Sequence, residues 1–256
     1  MTAERFPGGL RIGSVPYLNG RPLVWGIESR VEFAVPSELA DRFSAGLVDV
    51  ALLPVFEAFR LGGGQAVDGI SISAAGPVRS VIVVHRRALE ATPEIVLDPS
   101  SRTSAGLLNI LVSGFWRIGA SVVSHAADPE AARLIIGDPA LDFQRSRPAG
   151  WMVTDLAGEW KRWTGLPFVF AVWMIRSGVA GTRALAEELR RVAAEGLASR
   201  GVIAAATADP AGTLHYLTEN IRYSLGKTEK AALERYHSLL VESGQIPEAS
   251  RVPVFI

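Results

Sequence analysis

The chain has 256 residues, no cysteine, and 26 basic against 26 acidic side chains, a formal net charge of zero. The length accommodates one large domain or two lobes around a buried core, while the balanced charge excludes the broad positive field of a nucleic-acid binder. The missing cysteines exclude disulfides, thiolate nucleophiles, iron–sulfur clusters and Cys-type zinc sites. A single small anion remains compatible, since one pocket needs only a few donors.

Residues 1–9 carry both charge signs and lead straight into an apolar run, without the basic segment and long apolar stretch of a signal peptide. No apolar run reaches the ~18–20 residues of a spanning helix. The expectation is a soluble, cytoplasmic protein with no membrane partner.

Residues 10–15 form a short apolar run between glycines and a proline and predict a buried strand; 31–35 predict a second. Ser37 stands as an N-cap before a helix that ends near Gly46. Residues 48–53 predict a third strand, and Pro54 opens a short helix where a missing N–H does no harm. This β-α-β-α-β-α order predicts parallel strands covered by helices. Further strands are expected at 80–85, 95–97, 120–123, 134–136 and 168–175. Helices are expected at 103–113, from about Pro129, at 155–163, and in a helical tail at 183–199, 202–206, 211–220 and 229–243. The middle, 87–176, reads as an α/β unit inserted into a first unit made of 1–86 and 177–256. Two crossing strands and a cleft would follow, with the hinge near 85–88 and 175–180. A single doubly wound sheet is the alternative that periodicity leaves open.

Four loops that follow strands hold small polar residues. Asn19, in Ser14-Val15-Pro16-Tyr17-Leu18-Asn19, is either an N-cap or a ligand contact, and Gly76-Pro77-Val78-Arg79-Ser80 reads as turn punctuation unless a cleft between lobes brings it to a ligand. Asp98-Pro99-Ser100-Ser101-Arg102-Thr103-Ser104 runs into an apolar helix. Free N–H groups and the dipole at a helix N-terminus favour an anion, and one hydroxyl suffices for capping, so several in a row point towards a ligand carboxylate. In Ile136-Gly137-Asp138-Pro139-Ala140, Asp138 is a cap, a hydrogen-bond acceptor or a base. The four histidines do not cluster, and neither a G-x-S-x-G elbow nor a G-x-G-x-x-G loop occurs. No metal and no cofactor are expected. Gly62-Gly63-Gly64 reads as a flexible turn, and Trp151, Trp160, Trp163 and Trp173 as packing residues.

The first motif with Pro22, Gly76–Ser80, Ser101-Arg102-Thr103-Ser104, the Ile136–Ala140 loop and the tryptophan-rich run 155–173 stand together in one order. In these segments the chain resembles the chorismate dehydratases of the futalosine route to menaquinone, whose fold is that of type II periplasmic binding proteins. The resemblance implies an α/β, two-lobed protein with a ligand cleft that turns chorismate into 3-[(1-carboxyvinyl)oxy]benzoate and water, without metal or redox cofactor. It implies Asn19, Ser80, Ser101, Thr103, Ser104 and Gly137 as substrate contacts, and Asn19 and Asp138 as the catalytic candidates. A solute-binding protein of the same fold, and the related 1,4-dihydroxy-6-naphthoate synthase, are the rivals. The second would carry a different first loop. A monomer or a homodimer fits equally.

Overall fold

The computed structural model describes residues 6–7, 9–62 and 64–256; the expected turn at Gly63 and the N-terminal residues 1–5 of the first unit lie outside them. The strands form two mixed sheets. The first sheet is built on β1 (Ile12–Ser14), β2 (Val31–Phe33), β3 (Val50–Pro54), β4 (Gln65–Ala66) and β5 (Gly69–Ala74). The second is built on β6 (Val81–His85), β7 (Glu94–Val96), β8 (Ser121–Val123), β9 (Ala132–Ile136) and β10 (Met152–Asp155), in the order β10-β6-β9-β7-β8. The chain returns to the first sheet through β11 (Phe168–Ile175) and finishes there with β12 (Arg222–Leu225) and β13 (Val254–Phe255). The main path of that sheet is β12-β5-β11-β3-β1-β2, with β4 between β11 and β13.

Two sheets set the single doubly wound alternative aside. The first three strands are parallel, as the β-α-β-α-β-α order predicts, while later strands add antiparallel pairs. β1 pairs parallel with β2 and β3, but β11 runs antiparallel to β3 and β5. In the second sheet β6 is antiparallel to both neighbours, while β9, β7 and β8 are parallel. The reason is that β6 and β11 carry the chain from one sheet to the other and back. For the same reason sheet membership moves the expected boundaries. Residues 81–85 belong to the second sheet and 168–175 to the first, so the chain crosses at 75–80 and again through 156–167, not at 86/87 and 176/177.

The helices are α1 (Pro36–Ser44), α2 (Val55–Arg60), α3 (Arg102–Ile110), α4 (Gly137–Ser146), α5 (Leu156–Thr164), α6 (Thr182–Ala198), α7 (Arg200–Ala205), α8 (Pro210–His215) and α9 (Lys227–Glu242). The first crossover is a 3-10 helix, Leu18–Val24, rather than an α-helix. Ser37 is not the N-cap of α1. Pro36, whose fixed φ suits the first helical position, starts the helix two residues earlier, with Val35 as its N-cap. No helix starts near Pro129; the segment 124–131 is irregular, and the helix lies instead after β9. The loop expected at 136–140 is therefore the head of α4.

A continuous apolar core runs through both sheets, with Leu52, Leu53, Val83, Leu107, Leu108 and Trp173 all buried in it. β6 serves two cores by strand alternation. Val81 and Val83 face the large one, whereas Ile82 and Val84 pack with Ala140 beneath α4. Trp160 is fully buried against Phe168 and Tyr236, and Trp163 stacks on Phe115. These are the packing roles expected of them.

Candidate active site

Strand ends and helix heads of both sheets meet at one place. The stretch after β1, the end of β3, the start of β6, and the heads of α3 and α4 enclose a cavity of about 60 Å³. Asn19, Ser80, Ser101, Thr103, Ser104 and Gly137 all line it, together with Tyr17 and the apolar Ile72, Phe170 and Ala171. Asn19 comes from the 3-10 helix, Ser80 from the crossover loop, the three hydroxyl residues from α3, and Gly137 from α4. Ligands favour such convergent strand ends.

The hydroxyls are oriented from behind. The Tyr216 O–H donates to Ser80 Oγ at 2.7 Å, the Phe56 N–H donates to Thr103 Oγ1 at 3.1 Å, and the Ser101 hydroxyl donates to Ser104 Oγ at 2.9 Å. A hydroxyl has one proton to give. Ser80, Thr103 and Ser104 each accept from the protein and so keep that proton for the cavity. Ser101 is different: it caps α3, accepting the Ser104 N–H at 3.1 Å, and its proton is used inside the protein. Asn19 Oδ1 is buried and finds no hydrogen-bond partner among the described residues. Its backbone is held, since the Tyr223 O–H donates to the Asn19 carbonyl at 3.0 Å. The result is a small apolar slot with hydroxyl donors on one side, suited to a planar carbon ring bearing carboxylate or hydroxyl oxygen.

Gly137 has a conformational reason to be glycine. Its φ is +65°, and a Cβ there would sit 2.7 Å from the Tyr17 ring. Its N–H donates to the Ser80 carbonyl at 2.8 Å, which ties the head of α4 to the start of β6.

Asp138 faces elsewhere. It lines a neighbouring cavity of about 250 Å³ with Arg21, Arg79 and Arg145, not the hydroxyl-lined one. Its Oδ1 accepts the Leu18 N–H at 2.9 Å. Burial pushes its carboxyl above the usual range, opposed by that N–H and by the charge of Arg21.

The crossover loop is gripped from two sides. Asp155 accepts the N–H groups of Val78 at 3.1 Å and Arg79 at 2.6 Å while capping α5 through Gly158 at 2.9 Å. Burial again raises its carboxyl, and those N–H groups pull it back. Arg79 holds a left-handed φ of 66°, which the Asp155 clamp helps maintain. The Gln144 amide donates to the Arg79 carbonyl, and the Asn220 amide to the Pro77 carbonyl at 3.0 Å.

Sequence reasoning missed Tyr17, Tyr216 and Phe170. Tyr216 and Phe170 look like core residues locally. Tyr17 sits inside the first quoted motif, two residues before Asn19, and that position was the available signal. Among the described residues no three His, Asp or Glu side chains form a metal-holding group, and no helix is long and apolar enough to cross a membrane.

A family model described as menaquinone biosynthesis matches residues 10–242. The chorismate dehydratase of Thermus thermophilus is 30% identical over 240 residues, covering 82% of this chain and 86% of that protein. The chorismate dehydratase of Campylobacter jejuni is 27% identical over 228 residues, covering 86% and 88%. Among solved structures, protein AF1704 of Archaeoglobus fulgidus superposes with a TM-score of 0.69 at 14% identity, covering 93% of this chain and 98% of that one. The periplasmic aliphatic sulphonate binding protein SsuA of Escherichia coli gives 0.57 at 15%, covering 96% of each. The structural likenesses establish the two-lobed periplasmic-binding-protein fold, and with nearly the whole chain matched, this protein belongs to the menaquinone-biosynthesis family.

Proposed function

We propose that the protein is a chorismate dehydratase, a hydro-lyase converting chorismate to 3-[(1-carboxyvinyl)oxy]benzoate and water. The observation that carries this reading is the gathering of Asn19, Ser80, Thr103 and Ser104 in one slot, in a chain of this family. Chorismate is a ring diacid with one ring hydroxyl, and the slot offers hydroxyl donors beside apolar walls.

In the reaction the C–H bond at the ring carbon bearing the ether breaks, and its electron pair becomes ring π bonding. The adjacent C–O bond breaks, and the departing hydroxide takes up a proton as water. Aromatisation drives the step, so the protein has mainly to orient. The substrate's own enolpyruvyl carboxylate takes the ring proton, held against Asn19 and the hydroxyls of α3. Intramolecular positioning of this kind is worth up to about 7–11 kcal/mol in ideal cases. Asn19 is then the residue whose side chain orients the reacting carboxylate, and Asp138, bonded to the Leu18 N–H, acts as a clasp between lobes. The reading carries with it a cytoplasmic enzyme that works as a monomer or homodimer.

The test is to incubate purified protein with chorismate alone and follow products by chromatography and mass. The expected result is the enolpyruvyl benzoate, formed in proportion to enzyme and lost in Asn19→Ala. Tight binding without conversion would make the protein a small-carboxylate binding protein, and neither binding nor conversion would overturn the substrate as well.

A further inference from the structure

Tyr216 opens a π-helical turn, Tyr216–Asn220, that continues α8, and the wide turn closes through the Ile221 N–H donating to the Tyr216 carbonyl at 3.0 Å. Such turns cost regular hydrogen bonding and recur at functional sites. Here both ends of the turn reach the same crossover loop. The Tyr216 O–H bonds Ser80 Oγ, and the Asn220 amide bonds the Pro77 carbonyl. Tyr216 also lies in the wall between the two cavities: it lines the larger one, while its partner Ser80 lines the slot.

We propose that Tyr216 is a positioning residue for catalysis, acting through Ser80 by fixing that hydroxyl as a proton donor towards substrate oxygen. This rests on the chorismate dehydratase reading and extends it to a residue outside the slot's lining. Ser80 is almost fully buried, and its carbonyl accepts the Gly137 N–H. With the Tyr216 proton occupying one lone pair of Oγ, the Ser80 hydrogen is directed away from Tyr216 and into the slot. Remove the phenol, and Ser80 is free to turn its hydrogen elsewhere. A relay in which Tyr216 itself surrenders its proton through Ser80 is opposed by burial, which holds the phenol well above its ordinary range and would make a tyrosinate costly. Orientation is the role that remains.

The experiment is a double-mutant cycle on the full chain: wild type, Tyr216→Phe, Ser80→Ala and the double variant, each assayed for kcat/KM with chorismate across pH 6–9. Tyr216→Phe is expected to lower kcat/KM by roughly 10- to 100-fold, the span of one directed hydrogen bond to a charged group. In the Ser80→Ala background the same change is expected to do much less, because the main group it orients is gone and only its weaker link to the Asn19 side chain remains. No new ionisation is expected in the pH profile. Equal effects of Tyr216→Phe in both backgrounds, or no effect in either, would overturn the proposal while leaving the dehydratase reading in place. An inactive wild type would bring down that reading, and this one with it. Thermal unfolding of each variant identifies any loss that is merely loss of fold, and Tyr216→Leu, which removes ring and hydroxyl together, shows what such a loss looks like.

Discussion

The carboxylate of Asp138, at the head of α4, accepts the backbone N–H of Leu18 at 2.9 Å across 120 residues of sequence. This bond joins the second sheet's helix to the 3-10 helix that follows β1. Asparagine can still accept through its amide oxygen, whereas alanine cannot. Asp138→Asn is therefore expected to retain most turnover, and Asp138→Ala to raise KM by about tenfold, the scale of one buried hydrogen bond. Steady-state kinetics decide it. Loss of turnover in Asp138→Asn with affinity intact would instead make Asp138 the base.

Asn19 offers the slot a neutral amide whose buried oxygen has no hydrogen-bond partner among the described residues. Replacement by aspartate keeps the shape and adds a negative charge beside the expected carboxylate. Like charges a few ångströms apart at effective dielectric ~20 repel by several kcal/mol. Asn19→Asp is expected to weaken chorismate binding by more than 100-fold while leaving the melting temperature within a few degrees. Calorimetric titration beside a thermal melt reads both. Unchanged affinity would remove Asn19 from the substrate contacts.

Gly137→Ala is expected to destabilise the protein by about 1–3 kcal/mol, since the residue stands at positive φ and its Cβ would meet the Tyr17 ring. The same change presses Tyr17 into the slot, so activity should fall further than stability alone accounts for. Urea unfolding at a temperature where both proteins are folded, set against initial rates, separates the two effects. A variant as stable and active as wild type would show that Tyr17 yields freely.

Asp49 is bonded by Arg11 through both side-chain oxygens, at 2.9 and 2.7 Å, and by Arg176 at 2.6 Å. The Arg11 hydrogen bonds, followed by that from Arg176, hold its carboxyl far below the usual range against the opposing cost of burial. A depressed carboxyl contributes stability that is present in full above its unfolded value near 4 and fades as pH falls towards the folded one. Both arginines are more than a third exposed, so the contribution is only ~1–2 kcal/mol. Asp49→Asn is expected to cost this at pH 7 and less at pH 3, as read from urea midpoints. An equal cost at both pH values would mean the charge is immaterial.

Much of this molecule was legible before its structure. The strand at 168–175 is an unbroken apolar run with a proline before it, and it is found at those residues. The slot's polar residues were legible because they follow strands at helix heads, where N–H groups need partners. The short strands β5, β10 and β12 were not, since their pairing is decided by neighbours more than 60 residues away, and in β10 and β12 polar residues break the apolar run. The head of α4 hid behind Gly137-Asp138-Pro139, which reads as a turn but suits a helix N-terminus equally well. Tyr216 left no local sign at all: its hydroxyl partner is 136 residues distant, and a tyrosine in an amphipathic tail looks like packing.

The slot's 60 Å³ falls well short of the ~300–1,000 Å³ usual for small-molecule sites, and the apolar core is continuous across both sheets, with Tyr236 of α9 bonded to the Thr103 carbonyl of α3. A diacid ring therefore needs more room than the slot offers as it stands. The expectation is that binding follows a parting of the two lobes that widens the slot. Observed association rates should level off as chorismate concentration rises, at a ceiling set by the protein's own breathing frequency. Apparent affinity carries the same tax, the intrinsic constant divided by the open fraction. Substitutions that loosen the seam between α3 and α9 should then speed capture even as they weaken the fold.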